Sequence, residues 1–307
     1  MYIIISNQIL KMFLLMMVGY ISYRARLIDT QGNKALSNLL LIIINPCVIL
    51  SSFQIEYTND LLHGLLFSFL LAFLTHFVGI ILSRFLFPAK NNPNSNVERF
   101  SCIYSNCGFM GIPLINGILG SEGVLYVTAY VVTFNVLCWT QGLVLMTGNT
   151  SWKQIKKGLL SPVMFGILLG LILFLARIRI PGVLLDTIDY VAAMNTPVGM
   201  MVAGIALAET DLWQALKNRR TYLVTAVKLL VIPAVMIAIL AFLPINHTVL
   251  YTILIASACP AATTGTIFAL RYNANYKYAS EIFAFSTLAS LITIPVIVSL
   301  AELFVFH

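Results

Sequence analysis

Long apolar runs separated by short polar and basic segments fill almost the whole chain. The runs from Leu61 to Phe87 and from Leu223 to Leu243 exceed the roughly 20 apolar residues that a helix needs to cross a bilayer core. Such runs predict ten helices, over residues 3–23, 35–53, 61–87, 97–119, 123–146, 158–176, 184–208, 219–243, 249–270 and 276–304. The pattern predicts an all-α polytopic membrane protein, with a first span too long for a signal peptide.

Composition excludes several other classes of protein. The chain is 60% hydrophobic and 9% charged, whereas a soluble domain carries roughly 25% charged residues. The net charge of +7 is typical of basic residues that flank membrane spans, so no nucleic-acid partner is predicted. The short loops leave no room for a catalytic domain, and neither a Walker A nor an H-E-x-x-H motif occurs, which argues against an enzyme. The five cysteines lack metal-ligand spacing, so no cofactor is predicted.

Basic residues mark one side of the predicted helices. Fourteen of the 18 lysines and arginines lie in alternate loops on that side, which the positive-inside rule places in the cytoplasm. We therefore expect a plasma-membrane protein with both termini outside the cytoplasm. Residues 151–157 are predicted to be a short basic connection inside. Arg177 and Arg179 are the two exceptions to the rule.

Helix-breaking residues recur at a nearly constant spacing. Pro46 in helix two and Pro197 in helix seven are 151 positions apart. Pro113 in helix four and Pro260 in helix nine are 147 positions apart. Because each half then contains five helices, an odd number, the second half enters the membrane upside down. The spacing predicts two inverted five-helix repeats, an arrangement typical of secondary transporters.

Prolines and glycines cluster in the middle of predicted helices four and nine. Proline removes a backbone donor, and glycine costs about 1 kcal/mol relative to alanine in a helix. The clusters at residues 106–113 and 260–265 therefore predict two unwound segments that meet at mid-membrane. Free amides and positive half-helix ends would converge there and suit a carboxylate. The alternative is a pair of proline kinks whose backbone groups are satisfied by neighbouring helices.

The segment from Ser105 to Leu114, SNCGFMGIPL, resembles the signature of the auxin efflux carrier family. The resemblance covers essentially the whole chain. It implies a fold shared with bile-acid symporters and NhaA-type antiporters, in which broken helices four and nine cross. It also implies a scaffold of residues 1–53 and 151–209, a moving transport domain of residues 54–150 and 210–307, and a homodimer.

The resemblance also implies roles for single residues. Asn106 matches the asparagine that faces an anionic substrate, and Pro113 and Pro260 match the crossing prolines. Ala261 and Ala262 depart from the plant pattern, which argues against auxin as the substrate. The resemblance to bacterial members of the family implies small carboxylates such as malate or malonate instead. The substrate-binding set predicted from the breaks and the resemblance is Asn45, Asn106, Cys107, Gly108, Gly111, Pro113, Asn195, Thr196, Pro260, Thr263, Thr264 and Gly265.

Three ionisable residues within the predicted spans could reach a shared polar interior, where a charge costs roughly 2.5–3.5 kcal/mol. Lys228 would either attract the anion or snorkel toward the headgroups. Glu281 would pair with Lys228, carry a proton, or be an interfacial carboxylate. His76 would relay protons or be a hydrogen-bonded packing residue. Asn135 and Gln141 would line the cavity or bond neighbouring helices.

These features favour a secondary carrier that moves small organic anions by alternating access, with an elevator-type movement as one form of it. The rivals are a cation/proton antiporter or a sodium-coupled symporter on the same fold, a channel and a membrane-embedded enzyme. NhaA-type antiporters carry an aspartate pair that predicted helices four, five and nine lack. The sequence leaves open whether sodium, a proton or no ion is coupled. Gly166 and Gly170 indicate close helix packing, with a dimer contact as the alternative.

Overall fold

The computed structural model describes residues 2–90, 92–148, 152–243 and 246–304, and these residues form helices and no β-strand. In chain order the helices are α1 (Tyr2–Arg24), α2 (Thr30–Ser52), α3 (Asn59–Leu86), α4 (Ser95–Ile103), α5 (Cys107–Thr147), α6 (Trp152–Leu159), α7 (Pro162–Leu175), α8 (Gly182–Glu209), α9 (Leu212–Lys217), α10 (Arg219–Leu240), α11 (His247–Ala258), α12 (Thr263–Arg271) and α13 (Tyr276–Phe304).

Six of these helices, α2, α3, α5, α8, α10 and α13, are long and apolar enough to cross a membrane. Helices α7 and α11 are apolar but shorter. The predicted all-α class with several apolar spans is therefore confirmed. The arrangement as two repeats of five spans stays a prediction.

The breaks in predicted helices four and nine are shorter than the sequence indicated. Helix α4 ends at Ile103 and α5 begins at Cys107, so only residues 104–106 are unwound. Similarly, α12 already begins at Thr263, which leaves residues 259–262. The expected boundary between helices four and five is a bend inside α5 at Gly120, where φ is 64° and ψ is −156°. Glycine reaches such a positive φ without strain.

Wide π-helical turns absorb three of the prolines. Each of the segments Leu40–Ile44, Cys107–Gly111 and Val227–Val231 is π-helical, and a proline follows two residues later. Proline cannot donate to the carbonyl four residues back, so the preceding turn widens instead of unwinding. This explains why the Gly- and Pro-rich motif that ends at Pro113 remains helical.

Two short helices, α6 and α9, occupy segments that were predicted to be loops. Residues 151–157 were predicted to be a short basic connection, and α6 begins within it at Trp152; residue 151 lies outside the described residues. Ile155 is buried while Trp152, Lys153 and Lys156 are exposed. This one-sided burial stabilises an amphipathic helix that is too short for an apolar-run search to find.

Glycines allow the closest helix contacts. A Cβ atom at Gly204 of α8 would lie 1.9 Å from the carbonyl oxygen of Met16 in α1, so only glycine permits this approach. In α7, a Cβ atom at Gly166 would lie 3.1 Å from Pro46, and one at Gly170 would lie 2.5 Å from the ring of Phe53. The Gly166 and Gly170 pair therefore serves close packing against α2 within one chain.

A buried carboxylate joins three helices of the bundle. Glu98 of α4 is fully buried and accepts bonds from Arg220 of α10 at 2.6 and 3.1 Å. It also accepts bonds from Tyr278 Oη at 3.0 Å and from Asn92 Nδ2 at 2.6 Å. Bidentate pairing with additional hydrogen bonds is what a buried carboxylate requires to be stable. We call these four residues the Glu98 cluster.

Candidate functional site

Two unwound segments lie side by side in the interior, and backbone hydrogen bonds join them. The amide of Asn106 donates to the carbonyl of Pro260 at 2.8 Å, and the amide of Ala262 donates to the carbonyl of Tyr104 at 2.9 Å. Together they form an isolated antiparallel bridge. Since unwound backbone in a membrane protein must find internal partners, each break satisfies the other. We call residues 104–106 and 259–262 the paired breaks.

A cavity of about 330 Å³ opens beside the paired breaks. The N-terminal ends of α5 and α12 border it, together with parts of α2 and α7. The N–H groups at the start of a helix carry partial positive charge, so an anion is favoured here. The polar side chains that line the cavity are Asn38, Asn45, Ser105, Asn106, Asn135, Ser161, Thr264 and Arg271, and its aromatic side chains are Phe109, Phe134, Trp139 and Phe268.

Asn106 supplies a donor without a partner to this cavity. Its backbone carbonyl accepts bonds from the amides of Met110 and Gly111, both at 3.1 Å. Its side chain is 3% exposed, and Nδ2 has no hydrogen-bond partner among the described residues. A buried polar group left unsatisfied costs roughly 1–3 kcal/mol. A ligand that accepts a bond from Asn106 recovers this cost.

Asn45 and Asn195 form a buried, hydrogen-bonded pair beside the cavity. Asn195 Nδ2 donates to Asn45 Oδ1 at 2.7 Å, and each residue is 1% exposed. Asn45 lines the cavity from α2, whereas Asn195 lies behind it on α8. Because the bond occupies Oδ1 of Asn45, its amide group remains available as a donor. Asn195 therefore orients Asn45 rather than lining the cavity itself.

Lys228 lies behind the paired breaks and not in the cavity. Its side chain is 1% exposed, and Nζ donates to Ser105 Oγ at 2.5 Å. Ser105 Oγ lies 3.2 Å from Tyr130 Oη, and the Tyr130 ring contacts the ring of His76 at 4.9 Å. His76 Nδ1 bonds the carbonyl of Ala72 at 2.8 Å. The lysine is held inside, whereas snorkelling would carry it to the headgroups.

Two of the predicted polar residues lie away from the cavity. Glu281 lies beside Asn218, which caps the start of α10. Lys228 is ten residues further along that helix, about 15 Å at 1.5 Å per residue, so the structure does not bring it to Glu281. Gln141 Oε1 accepts a hydrogen bond from Tyr104 Oη at 2.6 Å. Gln141 therefore links α5 to the residue that follows α4.

The structure divides the remaining predicted site residues into two groups. Besides Asn106 and Asn45, the cavity is lined by Cys107, Gly108, Asn135 and Thr264. Gly108 faces open space, since a Cβ atom there would meet nothing within 4 Å. The predicted residues that do not line the cavity are Gly111, Pro113, Thr196, Pro260, Thr263 and Gly265.

Sequence reasoning missed four polar residues of the cavity, which are Asn38, Ser105, Ser161 and Arg271. Ser105 precedes Asn106 directly and was available from the motif. Arg271 was interpreted as an orientation signal and was not predicted as a site residue, yet it lines the cavity with Thr264. The two residues are seven positions apart, a spacing that places both on one face of a helix. That periodicity was the signal that could have identified Arg271.

Comparison with known proteins assigns the class as membrane transport. The family model described as "Membrane transport protein" matches residues 4–156 and 146–298. The chain therefore belongs to this family, and the resemblance to auxin efflux carriers that the Ser105–Leu114 segment suggested is confirmed.

Several curated relatives span nearly the whole chain. An uncharacterized transporter of Methanothermobacter thermautotrophicus is 24% identical over 300 residues, which cover 94% of this chain and 96% of the relative. The uncharacterized transporter YfdV of Escherichia coli is 24% identical over 313 residues, with 97% and 98% covered. MJ1031 of Methanocaldococcus jannaschii, also named an uncharacterized transporter, is 24% identical, with 93% and 96% covered. The chain is thus a multi-pass membrane protein of a transporter family, and these names indicate transport rather than catalysis.

Proposed function

We propose that the protein is a secondary carrier that moves small organic anions, chiefly carboxylates, by alternating access. Asn106 borders the cavity at the starts of α5 and α12, and its buried Nδ2 group has no partner among the described residues; this observation carries the proposal. An amide donor beside two helix N-termini attracts a carboxylate without a permanent charge. Such a site binds an anion and can also release it.

The proposed carrier consists of two inverted repeats, which together form the scaffold and the transport domain that moves against it. Arg26 and Arg177 both have left-handed backbone, with φ of 58° and 57°, and are 151 positions apart. Gly120 and Asn273 have φ of 64° and 55° and are 153 positions apart. Residues with positive φ at the spacing of the prolines support a repeated unit of five spans. We place the crossing of the two repeats at the paired breaks.

The cavity lies where the proposed scaffold and transport domain meet. Asn45 and Ser161 belong to the scaffold, residues 1–53 and 151–209, whereas Asn106 and Thr264 belong to the transport domain, residues 54–150 and 210–307. A ligand that contacts both has an affinity that depends on their relative position, which is the requirement for alternating access. An elevator-type movement of the transport domain would satisfy it.

A cation/proton antiporter or sodium-coupled symporter on the same fold is the second candidate. A cation site of this kind needs oxygen ligands with negative charge. No aspartate or glutamate lines the cavity in the part of the chain that the structure describes. This composition favours an anion as the transported ligand.

We also propose that both termini lie outside the cytoplasm of a plasma membrane, as the basic loops indicate. Cysteine labelling of intact cells tests this orientation. An impermeant reagent should not label Lys156→Cys, and labelling would contradict the orientation.

A homodimer through the scaffold is proposed from the family resemblance. Because Gly166 and Gly170 face α2, the contact would use the opposite side of α7, where Phe165, Leu168 and Ile172 are exposed. The particle mass in nanodiscs tests this, and a monomer would contradict it.

Transport assays in proteoliposomes test the function itself. We expect saturable uptake of radiolabelled malonate, succinate or malate that unlabelled carboxylates compete away. Asn106→Ala should lower this uptake without lowering the amount of protein reconstituted. Sodium or proton flux without any carboxylate flux would contradict the proposal and favour the antiporter.

A further inference from the structure

One face of α12 forms a wall of the cavity from the paired breaks to the end of the helix. The residues of this face that line the cavity are Thr264, Ile267, Phe268 and Arg271. Their spacing of three, four and seven positions places them on a single helix face. The wall is about 10 Å long, since a helix rises 1.5 Å per residue. This wall therefore has one polar end at Thr264 and a second at Arg271, with the apolar side chains of Ile267 and Phe268 between them.

Arg271 carries the only positive charge on the cavity lining within the described residues. Its side chain is exposed, and its nearest partner is aromatic, with Cζ 5.8 Å from the ring centroid of Tyr272. Among the residues that the structure describes, no carboxylate pairs with it. Side chains on a helix lean toward its N-terminus, which in α12 is the end at the paired breaks. A guanidinium in this state has its two parallel N–H donors available for a carboxylate.

We propose that Arg271 is a specificity-determining residue that binds the second carboxylate of a dianionic substrate. This inference rests on the proposed function, in which Asn106 holds the first carboxylate. Ile267 and Phe268 line the wall between the two ends. Hydroxyl groups placed against them would lose hydrogen bonds to water and gain none. The preferred substrate is therefore a dicarboxylate with a plain methylene linker rather than a hydroxylated one.

The experiment measures binding to the purified protein in nanodiscs by titration calorimetry. The ligands are succinate, glutarate and adipate, each paired with the monocarboxylate of equal chain length, and malate as the hydroxylated counterpart of succinate. The variants are Arg271→Gln and, as a matched control, Lys277→Gln. Lys277 is exposed and does not line the cavity, so its substitution removes the same charge without touching the wall. Asn106→Ala is measured in parallel.

We expect the wild-type protein to bind its best dicarboxylate at least about tenfold more tightly than the matched monocarboxylate. Arg271→Gln should abolish this preference by weakening the dicarboxylate about ten- to a hundredfold, while the monocarboxylate changes less than about threefold. Arg271→Lys, which keeps the charge but not the two-donor geometry, should fall in between. Lys277→Gln should match the wild type, and malate should bind more weakly than succinate.

Several results would overturn the inference. Equal weakening of both ligand types by Arg271→Gln, or the same loss in Lys277→Gln, would show a general electrostatic effect of positive charge and not a binding contact. No discrimination between the paired acids by the wild-type protein, or tighter binding of malate than of succinate, would also reject it. In these cases carboxylate binding that depends on Asn106 leaves the proposed function intact. Wild-type protein that binds no carboxylate would reject the proposed function, and the inference with it.

Discussion

Two buried polar regions of the molecule differ in how completely their hydrogen bonds are made. In the Glu98 cluster, the carboxylate accepts bonds from Arg220 and Tyr278, and both of its oxygens are used. At the paired breaks, by contrast, the described part of the chain offers no partner to Nδ2 of Asn106 and one hydroxyl partner to Lys228. The first region is complete without a ligand, and the second is not.

This difference distinguishes a structural polar cluster from a ligand site. Buried polar groups are normally satisfied because each unmade bond costs free energy. The Glu98 cluster meets that rule and joins α4, α10 and α13, so its hydrogen bonds stabilise the fold. The paired breaks violate the rule at the residue that borders the cavity, Asn106. Substitutions in the first region should therefore change stability, and substitutions in the second should change binding and transport.

The largest effect is expected for Arg220→Met, on stability. This change leaves the fully buried carboxylate of Glu98 without its cation. Because Arg220 itself is half-exposed, we expect a loss of about 3 kcal/mol, at the lower end of the cost of breaking a buried pair. Thermal unfolding of the purified protein in mild detergent measures the loss. Arg219→Met is the matched control, since Arg219 is exposed and should stay within about 0.5 kcal/mol of the wild type.

The double variant Arg220→Met with Glu98→Gln sharpens this prediction. Removing both charges should restore part of the lost stability, because no unpaired buried carboxylate remains. Wild-type stability of Arg220→Met would show that the Glu98 cluster does not stabilise the fold. The contrast between the two regions would then fail.

Lys228→Met should have a smaller effect than Arg220→Met, and on transport rather than on folding. A charge roughly 10 Å from a bound anion contributes about 1.7 kcal/mol at an effective dielectric constant of about 20, which corresponds to somewhat more than tenfold in affinity. Methionine keeps most of the side-chain volume, so the unfolding temperature should hardly change. Uptake into proteoliposomes measures the effect, and normal uptake would remove Lys228 from the transport mechanism.

Asn195→Ala should have a smaller effect, because the residue acts through Asn45. Loss of the bond at 2.7 Å removes an interhelical interaction that contributes about 0.6–1.7 kcal/mol in membrane proteins. We expect anion binding to weaken only a few-fold while Asn45 stays in place. Thr196→Ala serves as the neighbouring control, since Thr196 does not line the cavity. A loss as large as that of Lys228→Met would mean that Asn195 contacts the anion directly.

The sequence was sufficient for the features that depend on local composition. Apolar runs predicted the membrane class, and the motif around Asn106 located the first break to within a few residues. The length of the breaks was overestimated because a π-helical turn absorbs Pro113, and such a turn has no clear signal in the sequence.

Contacts between distant segments could not be predicted in the same way. Lys228 and Ser105 are 123 positions apart, and Arg220 and Glu98 are 122 apart. Pairing with Glu281 was one interpretation of Lys228, yet its partner is Ser105, next to the predicted site. Glu98 was not identified as a buried residue because it follows a polar loop, and only tertiary packing buries it. The partner of a buried charge depends on which helices come together, which the local pattern does not specify.

Carboxylate binding to wild-type protein and to Asn106→Ala tests the central claim most directly. Charge-assisted hydrogen bonds contribute about 1.5–3 kcal/mol, so the variant should bind its best carboxylate roughly ten- to a hundredfold more weakly. Its unfolding temperature without ligand should stay close to that of the wild type, since Nδ2 has no partner to lose among the described residues. Asn106→Asp should bind more weakly still, because it opposes the anion with a negative charge. Wild-type affinity in Asn106→Ala, or unfolding of that variant, would contradict the placement of the anion at the paired breaks.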